Sequence, residues 1–316
     1  MTAIDKLSGL PGGVVVLCGG PGGEREVSLA SGDTVHRALR RAGLDNSLVV
    51  VPARNPDAFL EKFDCGLAVM MLHGTFGEDG TAQAILERRG IAFTGSDSAA
   101  CRLAMDKDST KVKMRQLGVP TPRSVVVKAT AGAEAATAGL KYPLFVKPNF
   151  GGSSVGVSRV DRPEQLTAAI GKTLEVDRLA MIEEMVVGRE LTTGWLNGRV
   201  LPIIELNADG VFYDYRAKYV SNETKYICPA VLDGEMKSRI EGYVTKVVQA
   251  VGARDLARVD LMLGDAGPML LELNALPGFT SHSLLPMAAA KSGMPLEDLC
   301  LLLASMALER AGVEVR

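Results

Sequence analysis

Histidine and tryptophan are scarce in this sequence: three of the former and one of the latter in 316 residues. With only His36, His73 and His282 available, a multi-histidine transition-metal site has little material. The five cysteines (Cys18, Cys65, Cys101, Cys228 and Cys300) are odd in number, far apart and never in C-x-x-C spacing. They suggest neither a disulfide framework nor a zinc knuckle and suit a reducing cytoplasm. The longest apolar runs, 14–18, 67–72 and 299–304, fall far below the roughly 20 residues of a membrane-spanning helix. The N-terminus lacks the basic start and long apolar stretch of a signal peptide, so a soluble intracellular protein is expected. Neither sign of charge is in excess, with 35 Lys and Arg against 37 acidic residues. That balance leaves no basic surplus for nucleic acid or anionic lipid and turns attention to small-molecule partners.

What is present is apolar material: 47% of residues are hydrophobic, in a chain longer than one core usually serves, so two or three subdomains are expected. Residues 14–18, 48–51 and 67–73 read as strands around a helix at 25–41, an order that suggests βαβ units and a parallel sheet. A helix is expected over 104–118, stopped by Gly118 and Pro120. From Tyr142 onward the pattern changes to strand pairs, among them 178–183, 191–196 and 199–206, with Asn197-Gly198 suited to a tight hairpin turn. A helix at 234–251 precedes strands at 257–263 and 268–274, and helices at 283–292 and 296–311 close the chain. The small-residue run 129–139 reads as a surface loop or short helix.

Four segments could carry chemistry. Gly19-Gly20-Pro21-Gly22-Gly23-Glu24 joins an expected strand to a helix, so it is either a ligand-binding loop or a plain turn; it contains neither G-x-G-x-x-G nor a Walker A pattern. Glu24 at the helix start either serves the helix dipole or holds a ligand ammonium. Lys147 ends a β-like run and is followed by a Gly/Ser loop, 149–156, whose N–H and hydroxyl groups can donate to phosphates; the alternative is a mobile hairpin loop. Arg258-Val259-Asp260 and Glu272-Leu273-Asn274 sit on adjacent expected strands. Period-2 alternation puts Arg258 with Asp260, and Glu272 with Asn274, on faces that can coincide. Two carboxylates and an amide oxygen suit Mg²⁺, although an edge hairpin with solvated charges would look similar. Tyr213-Asp214-Tyr215-Arg216-Ala217-Lys218-Tyr219 reads as a mobile lid or an ordinary exposed strand.

Taken in order, these segments, with His73-Gly74, Gly77-Glu78-Asp79-Gly80, Met105-Asp106-Lys107, Gly152-Ser153-Ser154-Val155-Gly156 and Pro277-Gly278-Phe279-Thr280, resemble the D-alanine:D-alanine ligase pattern over nearly the whole chain. The resemblance implies a mixed α/β ATP-grasp fold of three subdomains, 1–95, 96–190 and 191–316, the last carrying lid and metal site, with ATP between the central and C-terminal ones. It implies a catalytic set of Glu24, Ser153, Tyr219, Arg258 and Gly278, with Arg258 and the Gly278 N–H facing an oxyanion. Val27, His73, Ser283 and Leu284 match substrate contacts, and Lys107, Lys147, Glu183, Glu190 and Lys218 match nucleotide contacts. Asp260, Glu272 and Asn274 match the ligands of two Mg²⁺ ions, for which Mn²⁺ can substitute.

The implied reaction joins two D-alanines at the expense of ATP, through an acyl phosphate, for peptidoglycan precursor synthesis, in a cytoplasmic homodimer. Three departures stand out: Pro21-Gly22-Gly23 before Glu24, Phe150-Gly151 before the serine pair, and Ala275 where relatives usually carry Thr. An ATP-grasp ligase for other amino or hydroxy acids and a non-catalytic nucleotide-binding protein are the alternatives. A Rossmann oxidoreductase fits only the first hundred residues and lacks the fingerprint.

Overall fold

A computed structural model describes residues 2–152, 155–207 and 225–312. Ser153, Lys218, Tyr219 and the whole 213–219 stretch lie outside the described residues.

The first sheet contains β1 (Val14–Gly19), β2 (Ser47–Val51), β3 (Leu67–Met70) and β4 (Ala92–Phe93), all parallel in the order β2-β1-β3-β4. Both β1 and β3 are buried along their whole length, which is why they read as unbroken apolar runs rather than alternating ones. The helix Arg25–Arg41 covers one face and buries Val27, Ser31, Val35, Ala38 and Leu39 at helical spacing. It approaches β1 closely because position 32 is glycine: a methyl group there would lie 2.5 Å from the Cys18 Cβ. The helix thus begins at the carboxyl ends of the strands, with Glu24 as its first flanking residue.

The second sheet contains β5 (Ser124–Val127), β6 (Leu144–Pro148), β7 (Ser158–Val160) and β8 (Ala180–Glu184), antiparallel in the order β5-β8-β6-β7. It has a core of its own, in which Leu144, Val146, Val160 and Ile182 meet Leu166 and Ile170 of the helix Leu166–Leu174. Alternation along β6 sends Leu144 and Val146 into that core and Lys147 to the opposite face, where Glu183 of β8 stands.

The third sheet holds β9 (Arg189–Leu196), β10 (Arg199–Val200), β11 (Ile204–Asn207), β12 (Lys225–Ile227), β13 (Leu256–Gly264) and β14 (Gly267–Asn274). Its order is β12-β11-β9-β13-β14, with β10 also paired to β9. Asn197 and Gly198 turn β9 into β10 with φ of 45° and 82°, the two left-handed residues that the sequence leads one to expect. The helix Gly234–Val251 starts at an Asp233 cap, 2.7 Å from the Met236 N–H, and buries Ile240, Val244 and Val247 beneath this sheet. The helices Leu284–Lys291 and Leu296–Ala311 share a core with Val35 and Leu39 of the helix Arg25–Arg41. The first and third sheets are therefore joined by common apolar cores. A cleft opens where the loops of the first and second sheets meet the β13–β14 hairpin.

Three sequence expectations are corrected. The helix expected over 104–118 is two helices, Ser98–Met105 and Lys107–Gln116, because Asp106 adopts an extended ψ of 94° and its carboxylate caps the Ser109 N–H at 3.1 Å. The strand expected over 199–206 is interrupted between β10 and β11, at a proline that has no N–H for a ladder. The strand expected over 67–73 ends at Met70. Among the described residues, no helix is long and apolar enough to cross a membrane.

Candidate active site

The β13–β14 hairpin carries the densest polar group. Arg258 stands opposite Asn274 and Asp260 opposite Glu272, and the register then slips so that Leu261 faces Leu270. Simple alternation would put Glu272 and Leu270 on one face. The bulge, with Leu271 as the extra residue, lets Leu270 turn into the core beside Leu261 while Glu272 stays in the cleft. Arg258 grips Asp260 bidentately, Nε to Oδ1 and Nη2 to Oδ2 both at 2.9 Å, and Thr192 donates to the same Oδ1 at 2.6 Å. Lys107 Nζ lies 3.7 Å from Glu272 Oε2 and also donates to the Gly151 carbonyl. The Asn274 side-chain oxygen accepts from the Leu276 N–H at 2.9 Å, which fixes the amide orientation even though position 275 is a buried alanine without a hydroxyl.

The opposite wall comes from the first sheet and the last loop. Glu24 is wedged between two glycines: a methyl group on Gly74 would sit 2.6 Å from one carboxylate oxygen, and one on Gly152 would sit 3.2 Å from the other. His73 is buried, with Glu78 Oε1 3.2 Å from its Nδ1 and Ser31 Oγ 3.1 Å from its Nε2. Ser283 Oγ accepts from the Thr280 N–H at 2.8 Å and so shapes the turn that follows Gly278. The cleft between these walls is lined by residues of both.

Eleven of the expected residues line this cleft: Glu24, Val27, His73, Glu190, Arg258, Asp260, Glu272, Asn274, Gly278, Ser283 and Leu284. Lys107 lines an adjoining recess with Glu272 and Asn274. Lys147 and Glu183 line neither recess; they form a buried cluster with Lys111, a residue that sequence reading missed. Glu183 accepts from Lys147 at 2.8 Å through Oε1 and is ion-paired to the fully buried Lys111 through Oε2. Lys111 also donates to Thr121 Oγ1 at 2.7 Å. Burial pushes the Lys111 ammonium down to about 8 against the attraction of Glu183. Burial penalises the Glu183 carboxylate too, but the two lysine charges outweigh it and hold its pKa below the ordinary value. Burial likewise opposes the Lys147 charge, and Glu183 and Glu272 outweigh it, so its pKa is raised. The signal for Lys111 was available as helical spacing, four residues after Lys107 on one face. Glu78 and His282 also line the cleft and were not singled out as site residues.

Paired carboxylates and an amide oxygen directed into a cleft are hard donors of the kind that Mg²⁺ takes. Among the described residues no group of three or more His, Cys, Asp and Glu side chains gathers as a metal site. A cation here would therefore rely on two carboxylates, one amide and the oxygens of a phosphate ligand.

A glycine loop on a parallel sheet, a lysine-bearing antiparallel sheet and a second antiparallel sheet with paired acids at its edge define an enzyme of the ATP-grasp class. A family model described as D-ala D-ala ligase C-terminus matches residues 114–304. The D-alanine–D-alanine ligase of Aromatoleum aromaticum is 44% identical over 92% of this chain and 94% of that protein. That of Hydrogenovibrio crunogenus is 42% identical over 94% of this chain and 95% of its own. A solved D-alanine–D-alanine ligase from Bacillus anthracis complexed with ATP has a TM-score of 0.82 at 31% identity, covering 95% of this chain and 97% of that one. The VanG D-Ala:D-Ser ligase from Enterococcus faecalis has a TM-score of 0.80 at 29% identity, covering 93% and 98%. The chain belongs to the D-alanine–D-alanine ligase family.

Proposed function

We propose that this protein joins two D-alanines to D-alanyl-D-alanine, converting ATP to ADP and phosphate, as a cytoplasmic step in making peptidoglycan precursors. The observation that carries this reading is the single cleft that Arg258, Asp260, Glu272 and Asn274 line together with Glu24, His73 and Ser283.

A carboxylate is a poor electrophile. Transfer of the γ-phosphoryl group to the first D-alanine makes a mixed anhydride whose carbonyl carbon the second amine can attack, after which phosphate leaves. Glu24, for whose carboxylate Gly74 and Gly152 leave room, takes the ammonium of the first D-alanine, with Val27 and His73 lining the same cleft. Arg258 and the Gly278 N–H meet the oxyanion of the tetrahedral intermediate, a task that needs donors fixed before reaction. The bidentate bond to Asp260 supplies that fixity for Arg258. Ser283 and Leu284 receive the second carboxylate.

Lys107, Lys147 and Glu190 serve the nucleotide together with Lys218, while Glu183 acts through Lys147. Mg²⁺ would be held by Asp260, Glu272 and Asn274 and would neutralise phosphate oxygens during transfer. Ser153 and Tyr219, which lie outside the described residues, belong to the catalytic set with Glu24 by the family resemblance. Closure of the lid keeps water from the acyl phosphate. The solution state is a homodimer, which sedimentation tests.

The assay is phosphate release from ATP and Mg²⁺ with D-alanine alone and then with D-serine, L-alanine or D-lactate as partner, with products weighed by mass spectrometry. Exclusive formation of D-alanyl-D-alanine is expected. Turnover only with D-serine as the second substrate would move the chain to the chemistry named for the Enterococcus faecalis relative.

A further inference from the structure

Ser31 lies on the helix Arg25–Arg41, fully buried, between two parts of the cleft that belong to distant stretches of chain. Its Oγ is 3.1 Å from the Phe279 N, which donates to it, and 3.1 Å from the His73 Nε2. At the far side of the imidazole, Nδ1 is 3.2 Å from Glu78 Oε1.

The donor and acceptor inventory narrows the direction of this chain of bonds. A backbone N–H can only donate, so Phe279 occupies one lone pair of the Ser31 hydroxyl. An ionised carboxylate can only accept, so the proton facing Glu78 must sit on His73 Nδ1. In a neutral ring Nε2 is then bare and accepts the hydroxyl proton of Ser31, whereas a doubly protonated ring would donate from Nε2 to the second lone pair of that hydroxyl. For the neutral ring the bonds run Phe279 N–H to Ser31 O–H to His73 Nε2, and His73 Nδ1–H to Glu78.

The same hydroxyl is packed under Gly278. A methyl group on Gly278 would lie 3.8 Å from both Ser31 Oγ and His73 Nε2, and 3.1 Å from Ser283 Oγ. The turn at 277–280 is held from two sides: Ser31 takes the Phe279 N–H and Ser283 takes the Thr280 N–H. Phe279 itself is buried in the core that includes Val35 and Leu39. Without the Ser31 hydroxyl the Phe279 N–H would lose its partner in a buried place, and the turn that carries the Gly278 N–H would lose one of its two pins.

We propose that Ser31 is a positioning residue of the ligation reaction, which couples the tautomer of His73 to the placement of the Gly278–Phe279 turn. This rests on the ligase reading for its kinetic part; the tautomer part stands on geometry alone. Ser31 touches no reacting atom. It acts by holding two groups that face the substrates in register with each other, so its loss lowers kcat more than it weakens ATP binding.

The test uses the whole protein labelled with ¹⁵N in its three histidines. His73 signals are assigned by their absence in His73→Gln. In the wild type, Nδ1 carries the proton and Nε2 shows the shift of a bare nitrogen that accepts a hydrogen bond. In Ser31→Ala, the Nε2 signal moves to that of a bare nitrogen without a donor, and kcat falls by on the order of 10–100-fold with the ATP KM unchanged. Ser31→Thr, which keeps the hydroxyl, restores both signals. A wild-type His73 protonated at Nε2, whether Nδ1 is bare or protonated, overturns the assignment, and so does a folded Ser31→Ala that ligates at the wild-type rate. Wild-type turnover in the same assay separates these outcomes from failure of the ligase reading: a wild type that makes no dipeptide removes that reading, while the tautomer measurement still decides the bond direction.

Discussion

Glu183→Gln removes the carboxylate that is ion-paired to two ammonium groups, one of them fully buried, while changing the shape of the side chain hardly at all. Lys111 has no exposed surface and the Lys147 side chain is 13% exposed, so water cannot replace the lost carboxylate at Lys111 and does so poorly at Lys147. Removing one partner of a buried pair costs about 3–5 kcal/mol, and because the swap is nearly isosteric that cost is electrostatic rather than a cavity. The variant should therefore unfold at markedly lower urea concentration at pH 7, and its ATP KM should rise because Lys147 loses its 2.8 Å anchor. The deficit also has a pH signature. Beside Glu183, Lys111 titrates at about 8; without that carboxylate its pKa drops further. The unfolded lysine stays protonated throughout this range, so as pH rises towards about 8 the folded variant binds fewer protons than the folded wild type, and stability lost to the variant is partly recovered. Urea titrations of both proteins between about pH 6 and 8 measure it. A loss below about 1 kcal/mol, the scale of an exposed pair, or a deficit that is flat with pH, would refute the electrostatic reasoning.

Arg258→Ala should lower kcat by about 10²–10³-fold while leaving ATP binding by calorimetry nearly intact; turnover within about tenfold of wild type would remove the oxyanion assignment. Gly74→Ala drives a methyl group to 2.6 Å from the Glu24 carboxylate in a backbone with φ of 71°. The expected result is a raised KM for the first D-alanine with the ATP KM spared, and an unchanged amino-acid KM would count against Glu24 as the ammonium site. Burial pushes the thiols of Cys18, Cys65 and Cys300 up to about 11, 12 and 12 from an unfolded value of 9.0. Above about pH 9 the unfolded chain releases thiol protons that the folded chain keeps, so their contribution to stability falls as pH rises. Cys65→Ala should reduce the pH slope of the unfolding free energy by up to about 1.4 kcal/mol per pH unit there, and an unaltered slope would contradict the buried-thiol account.

Much of this arrangement can be read from the chain because period and punctuation act locally. The helices Arg25–Arg41 and Gly234–Val251 begin and end where the apolar period and the flanking residues say they should, and Asn197-Gly198 makes the tight turn it is suited to. The face shared by Arg258, Asp260, Glu272 and Asn274 follows from alternation within each strand. What alternation could not show is the bulge at Leu271, since slipping one residue depends on Leu270 finding the core beside Leu261. The break at Asp106 is local in principle, but a capping aspartate inside an apolar period is easily read as one more exposed helical residue. Ser31 gave no signal, and the spacing of Lys111 from Lys107 marks a shared helix face but not a partner. A serine and a lysine on helices look solvated until tertiary contacts bring Phe279 from one side and Glu183 from another, at separations of 248 and 72 residues.

The central claim, that this cleft couples ATP to a bond between two D-alanines, is tested most directly with ¹⁸O in the carboxylate of D-alanine. If the first carboxylate is phosphorylated and then attacked by the second amine, one ¹⁸O per dipeptide formed is carried into the released phosphate, in a one-to-one ratio with ADP. Phosphate that carries no ¹⁸O, with or without ADP formation, would mean that no acyl phosphate forms from D-alanine and would contradict the account.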